Sequence, residues 1–453
     1  MEKPSKSIHG EWSSRFTFIL AATGSAIGLG NIWKFPYIAG ENGGGAFVFV
    51  FLICVLVLGL PLIIAEVTIG RYGRQNPINS IRKLVKEEKS HPLWSGTGWI
   101  CLFSGFFIFS FYSVISGWVF SYGFQMGLGT FQNITPEGST KLFNQFLSEP
   151  QTLLFWHTLF TFLTMVVVAK GVQTGIEKAV KILMPLLLIL MLILVGYAFS
   201  TGKFMEGVRF MFDLDFSKLT GESILVAMGQ AFFTLSLASG AMMIYGSYLP
   251  KDTSIPRACF IIATADTFIA ILAGLAIFPI VFAHGLEPAS GPGLIFNTLP
   301  VAFGNMVGGR VFGTLFFIFL LFAAFTSAIS MIEATIVWLV ENHAMTRNKA
   351  SVLGGGSCWF LGVGTVLSFN LWSDQTLFGK TFFENLDYLV TNIMMPLGGI
   401  LIAIFASWVI SKKSILNEFG IQESNGFWLW RLSAGLLAPI LVLLVFFHSI
   451  EIL

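Results

Sequence analysis

The run Gly24-Ser25-Ala26-Ile27-Gly28-Leu29-Gly30-Asn31 lies in the middle of an apolar stretch long enough to cross a bilayer. Glycine costs about 1 kcal/mol per site in a helix relative to alanine, and several crowd into one turn here. The run predicts a helix that opens and bares backbone carbonyls and amides. A bilayer tolerates such a break only where protein or a polar cavity satisfies the freed groups. The chain therefore reads as a membrane protein that binds something polar at mid-depth.

The remaining residues support the membrane assignment. The chain has 453 residues, 55% hydrophobic and 11% charged, with mean hydropathy +0.79. Soluble domains carry about 25% charged residues. A spanning helix needs roughly 20 apolar residues. About eleven such spans are predicted, near 14–38, 43–70, 94–126, 152–170, 178–200, 223–249, 257–284, 311–341, 352–371, 385–410 and 428–448. The net charge of +2 is spread over loops and gives no footprint for nucleic acid. Cys54, Cys101, Cys259 and Cys358 form no CxxC pair and read as packing residues.

Basic residues set the orientation. With the N-terminus inside, the inner loops hold Arg71, Arg74, Arg82, Lys83, Lys86, Lys89, Lys251, Arg257, Arg347, Lys349, Lys412 and Lys413. The outer loops hold fewer, among them Lys141, Lys203, Lys218 and Lys380. An odd number of spans then puts the C-terminus outside, and no cleavable signal is expected before the first span. The long outer loop near 285–310, with Glu287-Pro288-Ala289-Ser290-Gly291-Pro292-Gly293, is apolar enough to pack back on the bundle.

A second interruption follows at Phe232-Phe233-Thr234-Leu235-Ser236-Leu237-Ala238-Ser239-Gly240. The first and sixth spans are thus both broken, five helices apart. Paired broken helices at matching places in two halves point to a transporter site built on inverted repeats. Small residues in one span alone would point to close helix packing instead.

At these residues the chain resembles the neurotransmitter:sodium symporter family, in particular its bacterial eleven-helix amino-acid transporters. The resemblance rests on Glu11-Trp12-Ser13-Ser14-Arg15, on Gly28-Leu29-Gly30-Asn31-Ile32-Trp33-Lys34-Phe35-Pro36-Tyr37 and on Glu41-Asn42-Gly43-Gly44-Gly45-Ala46-Phe47. It continues through Gly175-Ile176-Glu177-Lys178, Gln230 to Ser236, Tyr245 to Asp252, the long outer loop and the eighth span. It implies an all-α integral membrane fold of about eleven helices. A tail at 1–13 would carry the inner gate. A core at 14–410 would hold two inverted five-helix repeats, about 14–200 and 223–410, and 411–453 would hold the eleventh helix.

Site residues follow from the same resemblance. Sodium is a hard cation that prefers oxygen ligands. Two ions are implied. The first site takes the Ala26 carbonyl, Asn31, Thr234, Asp266 and the substrate carboxylate. The second takes carbonyls of Gly24, Ile27 and Ala323 with the hydroxyls of Thr326 and Ser327. Read without the family, the Thr326 and Ser327 hydroxyls would bond their own helix. Substrate would lie among Ser25, Ala26, Leu29, Gly30, Ile108, Tyr112, Phe233, Thr234, Ser236, Ser239, Ser327 and Met331. Gly28 occupies the place where monoamine carriers resemble one another in an aspartate, so the substrate should bring its own carboxylate. Ser25 and Ser239 suggest a roomy or polar wall, and room favours larger neutral residues. Asp266 supplies negative charge beside the first sodium, while Phe51 and Ala270 lack the hydroxyls that chloride-dependent relatives use, so no chloride is expected.

Lys34 and Asp387 match an outer gate, where the family has Arg and Asp; lysine offers no bidentate fork. Phe233 and Tyr112 would form the aromatic lid beneath. Trp12, Ser247, Tyr248, Glu333 and Glu341 match the inner closure, with His9 in the basic place and Lys6 as an alternative. Glu66 is expected to bond amides of the opened sixth span. Gly175 and Pro185 mark a segment of the fifth span that relatives can unwind.

The implied function is sodium-coupled import of neutral, hydrophobic or aromatic L-amino acids across the bacterial cytoplasmic membrane, without an enzymatic step. No HExxH, GxSxG or P-loop accompanies the buried polar residues. The alternatives are a carrier of small polar amino acids and a substrate-sensing receptor, which counterflow exchange separates from a carrier. Oligomeric state is not set by the sequence.

Overall fold

The computed structural model describes residues 9–285 and 293–450. Lys6 and the Glu287–Pro292 part of the long loop lie outside the described residues. Among the described residues, nine helices are long and apolar enough to cross a bilayer: Gly45–Gly73, Pro92–Leu128, Pro150–Ala169, Val172–Ser200, Ile255–Ala283, Gly309–His343, Arg347–Ser368, Phe382–Val409 and Asn425–Ser449. Arg15–Ala26 and Gly30–Glu41, bent by 53° across a short break, make a tenth span. Gly221–Thr234 and Ala241–Ser247 flank a second break and make the eleventh. All eleven expected spans are helical, and the first and sixth are the two broken ones.

The third and eighth spans pack along each other and frame the centre. The C-terminal half of the sixth span lies against the second. Close approach there is reciprocal. A Cβ on Gly70 would sit 1.9 Å from the Met243 carbonyl oxygen, and one on Gly246 would sit 2.7 Å from that of Val67. Small residues let helix backbones meet where burying apolar surface supplies no drive, because lipid is as apolar as leucine.

Short helices cap the bundle. Pro77–Glu87 begins at Asn76, whose side chain accepts from the Ile78 and Asn79 amides. Pro136–Ser148 lies at the other end. The described part of the long loop, Leu294–Gly304, packs back as expected. Leu294, Ile295 and Phe296 are buried, and the Phe296 ring meets Trp33, Trp118, Tyr122 and Phe143. The fifth span is helical throughout, with a π-turn at Val172–Ile176 and Pro185 inside the α-helix that follows. The four cysteines are buried and unbridged.

Candidate functional site

The first helix ends at Ala26, and Ile27 turns to an extended conformation (φ −70°, ψ 98°). In the sixth span the break carries more strain. Ser236 (φ 53°) and Ala238 (φ 58°) adopt the left-handed region without being glycine, just before Gly240 (φ 78°). Such a conformation costs an L-residue roughly 1–2 kcal/mol, so neighbours must hold it. The Ala238 amide donates to Glu66 Oε1 at 2.6 Å. Ser236 Oγ donates to the Ser25 carbonyl at 3.0 Å, and Ser239 Oγ to the Ser236 carbonyl at 2.6 Å. Glu66 thus bonds the opened span as expected, from a fully buried position on the second span.

The breaks face each other across a cavity of about 30 Å³. Eleven of the twelve expected substrate residues line it: Ala26, Leu29, Gly30, Ile108, Tyr112, Phe233, Thr234, Ser236, Ser239, Ser327 and Met331. Ser25 does not. Its hydroxyl turns away to donate to Ser330 Oγ at 2.7 Å, one helical turn beyond Ser327. Its carbonyl, not its side chain, faces the centre, which removes one of the two polar wall groups the sequence suggested. Gly28, Asn31 and Met395 complete the lining. Met395 gave no signal in the sequence, because methionine in the tenth span looks like any apolar residue. A Cβ on Gly28 would lie 2.7 Å from Ser327 Oγ and 3.1 Å from the Tyr112 hydroxyl, so any side chain there would have to displace the Ser327 hydroxyl. Tyr112 also accepts from the Leu29 amide at 3.3 Å.

The expected sodium ligands fall into two groups of hard oxygen donors. Asp266 Oδ1 accepts from Asn31 Nδ2 at 2.8 Å and Oδ2 from Thr234 Oγ1 at 2.9 Å. Asn31 Oδ1 accepts from the Gly28 amide at 3.3 Å, which ties this group to the first break. In the second group Ser327 Oγ lies 3.4, 3.1 and 3.2 Å from the carbonyl oxygens of Gly24, Ser25 and Ile27. Thr326 Oγ1 donates to its own helix at Phe322 and Ala323. The eighth span therefore brings Ser327 to the carbonyls that the first break has freed, with Thr326 packed beside Gly24. The structure does not bring Thr326 Oγ1 into a hydrogen bond with the first span.

The two ends of the cavity are closed differently. At the end that carries the tail, the Trp12 amide donates to the Tyr248 carbonyl and its indole to the Tyr245 carbonyl, both at 3.0 Å. Tyr248 donates to Glu333 at 2.8 Å, and Arg347 pairs with the same carboxylate. His9 Nε2 lies 3.0 Å from Glu341. Asn76 and Asn79 also donate to Glu341. Ser247 contributes only its carbonyl, to Arg74; its hydroxyl bonds its own helix. Arg347, Asn76 and Asn79 were missed in the sequence, where Arg347 read simply as a basic loop residue.

At the opposite end Phe233 covers the central cavity. Beyond it lies a wider one of about 180 Å³, lined in part by Trp33, Lys34, Phe111 and Asp387. Lys34 Nζ sits 4.5 Å above the Phe233 ring rather than in an ion pair with Asp387.

A helical bundle of membrane-spanning length, two broken spans meeting at a buried polar centre, and separate closures above and below it define a multi-pass membrane transporter rather than an enzyme. The chain belongs to the Sodium:neurotransmitter symporter family, whose profile matches residues 9–133 and 141–453. It is 40% identical over 446 residues to the Uncharacterized sodium-dependent transporter YhdH of Bacillus subtilis (strain 168), with 98% of each chain covered. It is 35% identical over 446 residues to an Uncharacterized sodium-dependent transporter of Haemophilus influenzae, covering 97% of this chain and 98% of that one. Among solved structures, MhsT in complex with L-phenylalanine matches with a TM-score of 0.88 and 40% identity, over 97% of this chain and 99% of that one. The chain is thus a sodium-dependent transporter of this family.

Proposed function

We propose that the chain imports neutral L-amino acids of hydrophobic or aromatic type together with two sodium ions, by alternating access and without chloride. The observation that carries the reading is the meeting of two broken spans around one small cavity, with oxygen donors gathered on either side. In this reading sodium is cargo. Asn31, Thr234 and Asp266, with the Ala26 carbonyl, receive one ion and leave a ligand position for the substrate carboxylate. The carbonyls of Gly24, Ile27 and Ala323 and the hydroxyls of Thr326 and Ser327 receive the other.

Half-helix amide ends favour an anionic group, and the Tyr112 hydroxyl adds a donor. Gly28 offers no side-chain charge, so an amine without a carboxylate gains no substitute for it. Ile108, Phe233, Met331 and Met395 give the cavity apolar walls, and the phenylalanine bound to the similar MhsT fits that character. A cavity of about 30 Å³ holds roughly a water molecule, so substrate binding requires Phe233 and its neighbours to move outward.

In the same reading, residues 1–13 form a tail that carries the inner gate, and 14–200 and 223–410 are two inverted repeats within the core 14–410. Residues 411–453 supply the eleventh helix. The N-terminus faces the cytoplasm and the C-terminus the outside of a bacterial cytoplasmic membrane.

Uptake of labelled L-phenylalanine into proteoliposomes tests this. Uptake should need an inward sodium gradient and persist when gluconate replaces chloride. It should collapse in the Thr326→Ala, Ser327→Ala double variant while the fold survives. A strict chloride requirement would remove the role given to Asp266. Wild-type sodium dependence in the double variant would return both hydroxyls to helix packing. Binding without counterflow exchange would favour a receptor.

A further inference from the structure

At the tail-side end of the bundle, away from the central cavity, Arg431 sits in a frame of aromatic rings. Its guanidinium carbon lies 5.2 Å from the Trp408 ring, 5.6 Å from Trp428 and 5.9 Å from Phe427. Its Nε donates to the Ser407 carbonyl at 2.8 Å. A guanidinium has five N–H donors, and no other hydrogen bond of Arg431 to the described residues exists. The frame is rigid on one side. Trp408 Nε1 donates to the Gly435 carbonyl at 2.8 Å, and the tenth and eleventh spans approach so closely that a Cβ on Gly435 would lie 2.4 Å from that nitrogen.

This cation belongs to the outer surface of the bundle. Trp408 and Trp428 are partly exposed, and Leu429, Leu432 and Leu436 continue an exposed apolar face along the eleventh span. Tryptophan concentrates at the boundary between hydrocarbon and headgroups. Arg431 is six residues into the last span, and Trp408 is one residue from the end of the tenth. The 5.2 Å contact puts the Arg431 guanidinium level with Trp408, near that end of the tenth span.

Charge nearby is in surplus. Lys412 lies over the Trp428 ring and pairs with Glu423, and Lys413 stands exposed beside it. Lys412 and Trp428 both donate to Glu423 and hold its carboxyl below the usual carboxylate range, so it stays ionised. With Glu88, which accepts from Ser411 and Ser414 beside these lysines, two negative charges face three positive ones.

Rings that flank a guanidinium leave its edge open. That edge presents parallel N–H groups whose spacing matches two oxygens of one phosphate. At the hydrocarbon boundary the nearest such oxygens belong to lipid headgroups, and a net positive surround favours an anionic one. We propose that Arg431, framed by Trp408, Trp428 and Phe427, binds the phosphate of an anionic phospholipid in the leaflet at this end of the bundle. The site joins the tenth and eleventh spans through one lipid. It rests on the membrane reading and not on the substrate or sodium assignments, so failure of either test is distinguishable.

Native mass spectrometry of the full chain tests it, with phosphatidylglycerol or phosphatidylcholine added to the detergent. Wild type should retain phosphatidylglycerol about tenfold more tightly than Arg431→Gln, as expected for losing a charge-assisted fork. Arg431→Lys should fall between them. Trp428→Ala, which removes a partly exposed ring, should weaken retention in the same direction and decides the matter if Arg431→Gln does not fold. Equal phosphatidylglycerol retention by wild type and the variants would overturn the site. Equal retention of both lipids by wild type would reduce it to unspecific snorkelling. Displacement of the lipid by inorganic phosphate would assign the position to a free anion and overturn the lipid proposal.

Discussion

The two closures of the central cavity are made of different materials. The tail-side closure is a polar network. Trp12, Tyr248, Glu333, Arg347, His9, Glu341 and Asn76 draw the tail, the loop after the second span, the end of the sixth, the eighth and the start of the ninth into one set of bonds. The opposite closure is a single ring, Phe233, with Lys34 stacked above it and Asp387 across a cavity. Opening the first requires several buried charged bonds to break together. Opening the second requires Phe233 and its neighbours to move, with no ion pair to break. The comparison teaches that the conformation described here favours access from the Lys34 side, and that the barrier to opening the other side is electrostatic.

Glu333→Gln should break that asymmetry most. Glu333 is fully buried and serves both Tyr248 and Arg347. Removing one partner of a buried pair costs about 3–5 kcal/mol, because the other charge stays buried. Part of that cost is relieved by opening, so hydrogen exchange of the Trp12 amide should accelerate by roughly two orders of magnitude. Unchanged exchange would mean that the network decorates a closure held by packing.

Phe233→Ala should act next and on the other side. It merges the 30 Å³ and 180 Å³ cavities. Losing about 1.5 kcal/mol of ring burial should speed substrate release by roughly tenfold while Trp12 exchange stays as in wild type. Faster Trp12 exchange in this variant would show that the closures are not independent.

Asp387→Asn should do least. Lys34 does not close on Asp387 here, so removing the Asp387 charge breaks no ion pair. Substrate release should change by no more than about fivefold. An effect exceeding that of Phe233→Ala would make the Lys34-side closure electrostatic as well and erase the contrast.

How legible this was in the sequence varies with the physics of each part. The break in the first span was plain, because glycines at 24, 28 and 30 weaken a helix wherever they stand. The break in the sixth was visible mainly through its partner. Its strained positions are Ser236 and Ala238, residues that form ordinary helices when nothing holds them otherwise. What holds Ala238 is Glu66, far away in sequence. Ser25 shows a different limit. Its place in the chain put it beside the cavity, but the direction of its hydroxyl was set by Ser330 on another helix. Arg347 was legible as a charge and not as a partner of Glu333, since loop charge gives orientation but no contact.

The central claim is that one polar centre binds sodium and an amino-acid carboxylate together. Equilibrium binding of labelled L-phenylalanine to the purified chain, titrated with sodium against a potassium background, tests it most directly. Phenethylamine, which has the same side chain and no carboxylate, serves as competitor. The account predicts saturable binding only with sodium, and competition by the amine weaker by roughly a hundredfold, the loss of one or two charge-assisted bonds. Binding that ignores sodium, or phenethylamine competing as well as phenylalanine itself, would contradict it.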